Sequence, residues 1–255
     1  MALTGWLGRL RDRLLPAHTV PEPLWRQALD RCSLLAERPP EQQAQLRTLA
    51  ARFLADKRYA PARGLPLDDL RCLLIAVQAC LPVLHLGYGR LRGWREVIVY
   101  PDAFRVRREH HDEATGVVTE GEDELAGEAW EHGPLVLSWA DIEEDLDAPH
   151  AGLNVVVHEI AHKLDMQGGG SDGVPPLPAH VARRDWIVTF QRAYDAHCRA
   201  VERGRRTLID PYAAEAADEY FAVVSELHFS APAVLARAAP EVARLLRAFY
   251  DAPAA

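Results

Sequence analysis

The stretch VVVHEIAHKLD, residues 155–165, places two histidines four positions apart, with a glutamate directly after the first. On a helix, His158 and His162 lie one turn apart on the same face, about 40° off register, so both imidazoles can reach one metal ion. Glu159 is rotated about 100° from His158, which lets its carboxylate reach a water activated by the metal. The stretch therefore predicts a metal-binding helix that carries its own general base.

An ordinary buried helix is the alternative, because a motif this short also arises by chance in a chain with eleven histidines. The residues around the motif favour the metal site. They are mostly apolar, and two ionisable rings facing one buried spot are costly unless they bind a ligand. Lys163 is unusual for such a motif, and we expect its side chain to point away from the metal.

A third protein ligand is needed, because catalytic zinc usually takes three protein ligands and one water. The residues after His162 read KLDMQGGG, which offers no further histidine. A carboxylate from residues 210–229 is therefore expected. Glu215, Glu219 and Glu226 are spaced by four and seven residues and would share one helical face, and this spacing does not choose among them.

The composition is that of an ordinary globular protein: 255 residues, 49% of them hydrophobic and 26% charged. A formal net charge of −8 disfavours a direct nucleic-acid partner. The apolar run that begins at Cys72 is interrupted by Pro82 and is too short to span a membrane, so we expect a buried helix and no stable membrane insertion. Arginines 9, 11 and 13 interrupt any signal-peptide core. The four cysteines form no CxxC pair, which with these features predicts a reduced, cytoplasmic protein.

The hydrophobic pattern changes twice along the chain. Apolar residues at three- and four-residue steps predict helices over 21–95, after an N-terminal segment, 1–20. From residue 96 the segments EVIVYP, FRVRR, GVVTE and PLVLSW predict a small, mostly antiparallel sheet. Helices return from about 151, with two predicted over 213–229 and 233–250. The expected fold class is α+β, one compact unit in which 96–255 forms the catalytic part.

Three segments together resemble the MtfA family of bacterial zinc metallopeptidases, which is named for titrating the glucose repressor Mlc. They are GPLVLSW (133–139), HEIAHKLD (158–165) and DPYAAEAADEYFAVVSELHFSAP (210–232). The similarity runs over nearly the whole chain and is far more specific than the histidine motif alone. It implies a zincin-like catalytic domain of the gluzincin type.

The resemblance also implies the missing ligand. In that family, and in the similar catalytic domain of anthrax lethal factor, the third zinc ligand is a glutamate seven residues after a tyrosine. Here Tyr212 and Glu219 have that spacing. The implied Zn²⁺ ligands are therefore His158, His162 and Glu219, with Glu159 as the base and Tyr212 stabilising the oxyanion. Glu215 and Glu226 are then expected to be solvated or to hydrogen-bond a ligand.

Further expectations concern the strand, the histidines and the acidic residues near the site. The family fold places an edge strand beside the active site, and PLVLSW is the expected strand. Some relatives have an extra histidine near the metal, where this chain has Thr119; His110, His111 and His132 lie nearby and are expected to be exposed. Asp165 is either an acceptor for a ligand N–H or a helix-surface carboxylate. The acidic stretch 109–131 is a solvated loop, or else it overhangs the site and favours free amino ends, in keeping with the aminopeptidase-type activity that the resemblance implies.

Two functions remain open from the sequence. The first is a zinc-dependent peptidase, which an intact Glu159 and Tyr212 favour because a structural metal site needs neither. The second is a non-catalytic regulatory protein that sequesters an Mlc-like transcriptional repressor. The partners are accordingly a peptide substrate or that repressor.

Overall fold

The computed structural model describes residues 19–102, 104–111, 118–125, 127–129 and 133–251. The first third contains the predicted helices: α1 (Glu22–Arg31), α2 (Ser33–Ala36), α3 (Pro40–Asp56) and α4 (Asp69–Cys80). Pro40 opens α3, where its missing amide hydrogen costs no helical bond. Asp68 caps α4 by accepting a hydrogen bond of 2.8 Å from the Arg71 amide. The N-terminal segment up to residue 18 lies outside the described residues.

In the described part of the chain, six strands form two sheets: β1 (Arg58–Pro61), β2 (Glu96–Tyr100), β3 (Phe104–His111), β4 (Val118–Leu125), β5 (Gly127–Ala129) and β6 (Leu135–Ser138). The larger sheet has the order β1-β2-β6-β5. In it β1, β2 and β6 run parallel, and β5 is antiparallel to β6. The smaller sheet is the antiparallel hairpin β3–β4. The four predicted strands are therefore present, while β1 and β5 were not predicted.

The prediction of a mostly antiparallel sheet is wrong for the larger sheet, in which β1, β2 and β6 run parallel. Helix α4 lies between β1 and β2 as a crossover, and residues 101–134 separate β2 from β6. Both parallel pairs are thus joined by long connections, as parallel pairing requires. The expectation that PLVLSW is an edge strand is also wrong, because this segment forms the inner strand β6. β6 lies between β2 and β5, and among the described strands β1 and β5 form the two edges of this sheet.

The second half is helical, as predicted, with α5 (Trp139–Asp147), α6 (Val155–Met166), α7 (Arg183–Glu202), α8 (Ala217–Ser230), α9 (Pro232–Ala238) and α10 (Pro240–Tyr250). The single helix predicted over 233–250 is two helices. Ala239 has φ −146° and ψ 72°, because the ring of Pro240 disfavours the helical conformation in the residue before it. Glu215 precedes α8, so the shared helical face predicted for three glutamates holds only for Glu219 and Glu226.

The metal-motif helix α6 lies inside the protein. It packs against α4 and α8 and against β5 and β6. Ten of its twelve residues are buried, because both of its faces contact other elements. The buried hydrophobic side chains, from Val20 to Tyr250, form one continuous cluster around it. The apolar run from Cys72 forms most of the buried helix α4, and none of the described helices is long and apolar enough to cross a membrane.

Candidate metal centre

The first turn of α6 is fixed by three polar side chains. Asn154 caps the helix by accepting a hydrogen bond from the Val157 amide at 2.9 Å. Asp145 Oδ2 accepts from the Val155 amide at 2.7 Å, and Glu226 Oε2 accepts from the Asn154 amide at 2.6 Å. Amides that a helix leaves without partners at its start are thus paired with buried side chains. These contacts fix the position from which His158 extends.

Three donor atoms meet on one side of α6. Nε2 of His158 lies 3.1 Å from Nε2 of His162 and 3.1 Å from Oε2 of Glu219, which reaches across from α8. The distance from His162 Nε2 to the same carboxylate oxygen is 3.4 Å. Among the described residues, these three side chains form the group whose donor atoms lie close enough together to hold one metal ion. The structure thus brings together the three residues expected as ligands.

The other ring nitrogen of His158 sets which tautomer faces the site. Nδ1 lies 2.8 Å from Oε1 of Glu226, a buried carboxylate that accepts hydrogen bonds only. The hydrogen of a neutral ring is therefore on Nδ1, and Nε2 presents its lone pair to the site. For His162 the corresponding acid is Asp218, whose Oδ2 is 3.9 Å from Nδ1 and thus beyond direct hydrogen bonding.

Electrostatics at the site are dominated by the facing acids and histidines. Burial alone would lower the pKa of His158, but the carboxylates of Glu219 and Glu226 outweigh it and raise that pKa well above its usual value. Burial alone would raise the pKa of Glu219, but His158 and His162 outweigh it and lower that pKa. Without a metal, these contacts therefore favour the protonated form of His158 and the charged form of Glu219.

The donor set fits a zinc ion. Donor atoms about 2.0–2.2 Å from a tetrahedral zinc lie roughly 3.3–3.6 Å apart, close to the separations of 3.1, 3.1 and 3.4 Å found here. Oε2 of Glu219 is buried and makes no aligned hydrogen bond, although two ring nitrogens lie within reach. Such a converging but unsatisfied group is costly unless a cation completes it. Two imidazoles and one carboxylate are also a common catalytic zinc set.

Glu159 and Tyr212 lie beside the donors. Glu159 is buried, and its Oε2 has no hydrogen-bond partner among the described residues. Burial raises its pKa to about 7, an effect that the nearby histidines oppose. A pKa near neutrality suits a group that must accept and return a proton. The Tyr212 ring is 6.3 Å from the His158 ring between centroids and is 44% exposed. Glu159 therefore lies near all three donors, and Tyr212 lies beside the His158 ring.

The remaining predicted residues have different surroundings. Glu226 hydrogen-bonds His158, the second of its expected roles, whereas Glu215 is exposed. Asp165 is fully buried rather than on a helix surface, and it accepts a hydrogen bond from the Gly173 amide rather than from a histidine. Lys163 does lie away from the donors, and its ammonium hydrogen-bonds the Gly133 carbonyl at 3.0 Å. The side chains of Thr119, His110, His111 and His132 and of the acidic stretch lie outside the described residues.

Sequence reasoning missed Asn154 and Asp145, which support the start of α6. For Asn154 a signal was present, because an asparagine directly before an apolar helical run is a typical N-cap. For Asp145 there was none, since its contact with the Val155 amide joins two helices through a loop whose path the sequence does not reveal.

Two histidines on one helix and a glutamate on another form a donor set of the kind that metallopeptidases use. The chain belongs to the glucose-regulated metallo-peptidase M90 family, whose model matches residues 6–251. It is similar to proteins named Mlc titration factor A from Escherichia coli O9:H4 (strain HS) and Shigella sonnei (strain Ss046). In both cases 39% of residues are identical over 238 positions, covering 92% of this chain and 88% of the relative. The MtfA resemblance is thereby confirmed.

Proposed function

We propose that this protein is a zinc-dependent peptidase of the gluzincin type. The observation that carries the proposal is the convergence of His158, His162 and Glu219, with Glu159 buried beside them. A family of metallopeptidases implies a metal, and the nitrogen and oxygen donors favour zinc among the common ions. The buried oxygen Oε2 of Glu159, which accepts no hydrogen bond from the described residues, supports catalysis over a purely structural site.

Each residue of the site has its own role in peptide hydrolysis. His158, His162 and Glu219 would hold the zinc, which when bound lowers the pKa of water and polarises a substrate carbonyl. Glu159 removes the proton from the attacking water and then gives it to the departing amine. The Tyr212 hydroxyl donates a hydrogen bond to the oxyanion that forms on the carbonyl carbon. Glu226 keeps the lone pair of His158 Nε2 directed at the metal.

The substrate is proposed to be a peptide that adds as a strand to the outer edge of β5. This edge is the described one nearest to the metal helix, since α6 packs against β5. Main-chain hydrogen bonding of this kind requires little of the substrate sequence. Aminopeptidase-type cleavage is proposed because the stretch 109–131, which contains β4, is rich in acidic residues. Its negative charge would attract the free amino end of a peptide.

The name Mlc titration factor A, carried by the relatives, supports a second role for this chain. We propose that it also binds an Mlc-like repressor, by a surface that need not include the metal centre. A cytoplasmic location suits both roles and is supported by the four cysteines, all of which are free thiols.

Metal analysis and peptide cleavage together test the peptidase proposal. Wild-type protein should contain one zinc per chain and release amine from peptide amide substrates, and Glu219→Ala should lose both. The control is Glu215→Ala, which changes an exposed glutamate nearby and should keep both properties. Wild-type protein that takes up no zinc from zinc buffer, or that binds zinc without cleaving any peptide of a diverse library, would contradict the proposal.

A further inference from the structure

Tyr212 stands on a short 3₁₀ turn, Pro211–Ala214, rather than on a long helix. We call residues 210–214 the Tyr212 segment. Within it, Asp210 Oδ1 accepts a hydrogen bond of 2.9 Å from the Tyr212 amide, and the Asp210 carbonyl accepts one of 3.1 Å from the Ala213 amide. A single turn has little stability of its own. The backbone of this segment therefore depends on contacts with neighbouring elements to keep its position.

Helix α7 supplies those contacts at both ends of the segment. His197 Nε2 donates to the Asp210 carbonyl at 3.0 Å, since a carbonyl only accepts. At the other end, the Tyr194 hydroxyl donates to the Ala214 carbonyl at 3.2 Å, and the Cys198 thiol lies 3.7 Å from the same oxygen. Both backbone anchors thus lie on one face of a long, rigid helix.

The two anchoring rings are themselves held from α8. Tyr194 and His197 each pack against Tyr220, with ring centroids 5.9 Å apart in both cases. Tyr220 directly follows Glu219 in the sequence, and it is 1% exposed. The helix that provides the carboxylate donor therefore also supports the rings that hold the Tyr212 segment. This common support relates the position of Tyr212 to that of the metal centre.

We propose that Tyr194 and His197 are positioning residues, which hold the Tyr212 segment so that its hydroxyl meets the oxyanion. This inference rests on the role proposed for Tyr212. A displaced donor loses most of its effect on a transition state, because such hydrogen bonds act only when they are preorganised. In the described part of the chain, the hydrogen bonds and ring contacts of these two residues are with Asp210, Ala214 and Tyr220, so we expect their substitution to leave metal binding unchanged.

The test compares Tyr194→Phe with Tyr59→Phe. Both changes remove a tyrosine hydroxyl that donates to a backbone carbonyl, but Tyr59 donates to Cys72, far from the centre in sequence and on another helix. In zinc-loaded enzyme, Tyr194→Phe should lower kcat on the order of tenfold with KM and zinc content unchanged, and Tyr59→Phe should leave kcat unchanged. In a Tyr212→Phe background, Tyr194→Phe should cause no further loss. His197→Gln, which keeps a donor, should lose less kcat than His197→Ala.

Hydrogen exchange of the peptide that spans 208–216 provides a readout independent of catalysis. Tyr194→Phe and His197→Ala should increase exchange there, and Tyr59→Phe should not. Unchanged exchange, or the same fold-loss of kcat with and without Tyr212, would overturn the positioning role. Wild-type protein that binds zinc but cleaves nothing would instead contradict the proposed function, while the exchange result would still decide whether the segment is held as we propose.

Discussion

At the scale of single residues, the chemistry of the centre depends on which groups carry protons. His158 can offer Nε2 to a metal because Glu226 accepts the hydrogen of Nδ1 at 2.8 Å. Glu226 was one of three glutamates that the sequence could not rank. Its role follows from tertiary contact, since the same carboxylate also accepts from the Asn154 amide. A spacing rule on one helix contains no information about a partner on another.

Glu226→Gln should weaken zinc binding about 10- to 100-fold, because one amide oxygen cannot accept both hydrogen bonds and carries no charge. The measurement is competition with a zinc chelator at fixed pH. Glu215→Gln is the matched control, since that glutamate is exposed and should leave the affinity unchanged. Equal zinc affinity of Glu226→Gln and wild-type protein would show that Glu226 does not orient His158.

Glu159→Gln should retain the metal but lower kcat by about 10²- to 10⁴-fold, because the amide cannot accept the proton of the attacking water. The change is nearly isosteric at a buried position, so the folded state should be preserved. Zinc content and kcat are measured on the same preparation. Cleavage at the wild-type rate would rule out Glu159 as the general base.

At the scale of elements, α6 was the most predictable part of the structure. Its histidine spacing and apolar surround are local signals that predicted a helix here, and the helix spans Val155–Met166. The asparagine cap is a third local signal, although it was missed. The sheet was the least predictable part. β1 is four residues long and mostly exposed, so it has neither the length nor the alternation that indicates a strand. Its parallel pairing with β2 depends on the crossover through α4, which no local pattern encodes.

Asn154→Ala should destabilise the protein by about 1 kcal/mol or more, through loss of the cap on α6. It should also weaken zinc binding, because Asn154 fixes the first turn of the helix, ahead of His158. Its Nδ2 donates a hydrogen bond of 2.7 Å to Oε1 of Gln78 on α4. Urea unfolding and zinc titration measure the two effects. Asp68→Ala is the matched control, since it removes the cap of α4 but should leave zinc affinity unchanged. Loss of stability without loss of affinity would mean that the cap does not position the centre.

At the scale of the whole molecule, the metal centre joins separate parts of the fold. The histidines come from α6, the carboxylate from α8, and the helix start is held through α4 and α5. All of these elements belong to the continuous buried cluster, so a ligand that ties them together should stabilise the entire cluster. Zinc at about 1,000 times its dissociation constant contributes roughly 4 kcal/mol, provided that the unfolded chain does not bind it.

Zinc addition to the chelator-treated protein should therefore raise Tm by on the order of 10 °C, given about 2–4 °C per kcal/mol for a chain of this size. The increase should become smaller as the pH falls. In the metal-free protein, Glu219 and Glu226 raise the pKa of His158 above its usual value. As the pH falls through this raised pKa, protons compete with zinc for the His158 nitrogen. Calorimetry at several pH values, with and without zinc, measures both effects. His162→Ala, which removes a ligand, should show little increase at any pH. An increase that did not depend on pH would mean that zinc stabilises the protein at a site without histidine ligands.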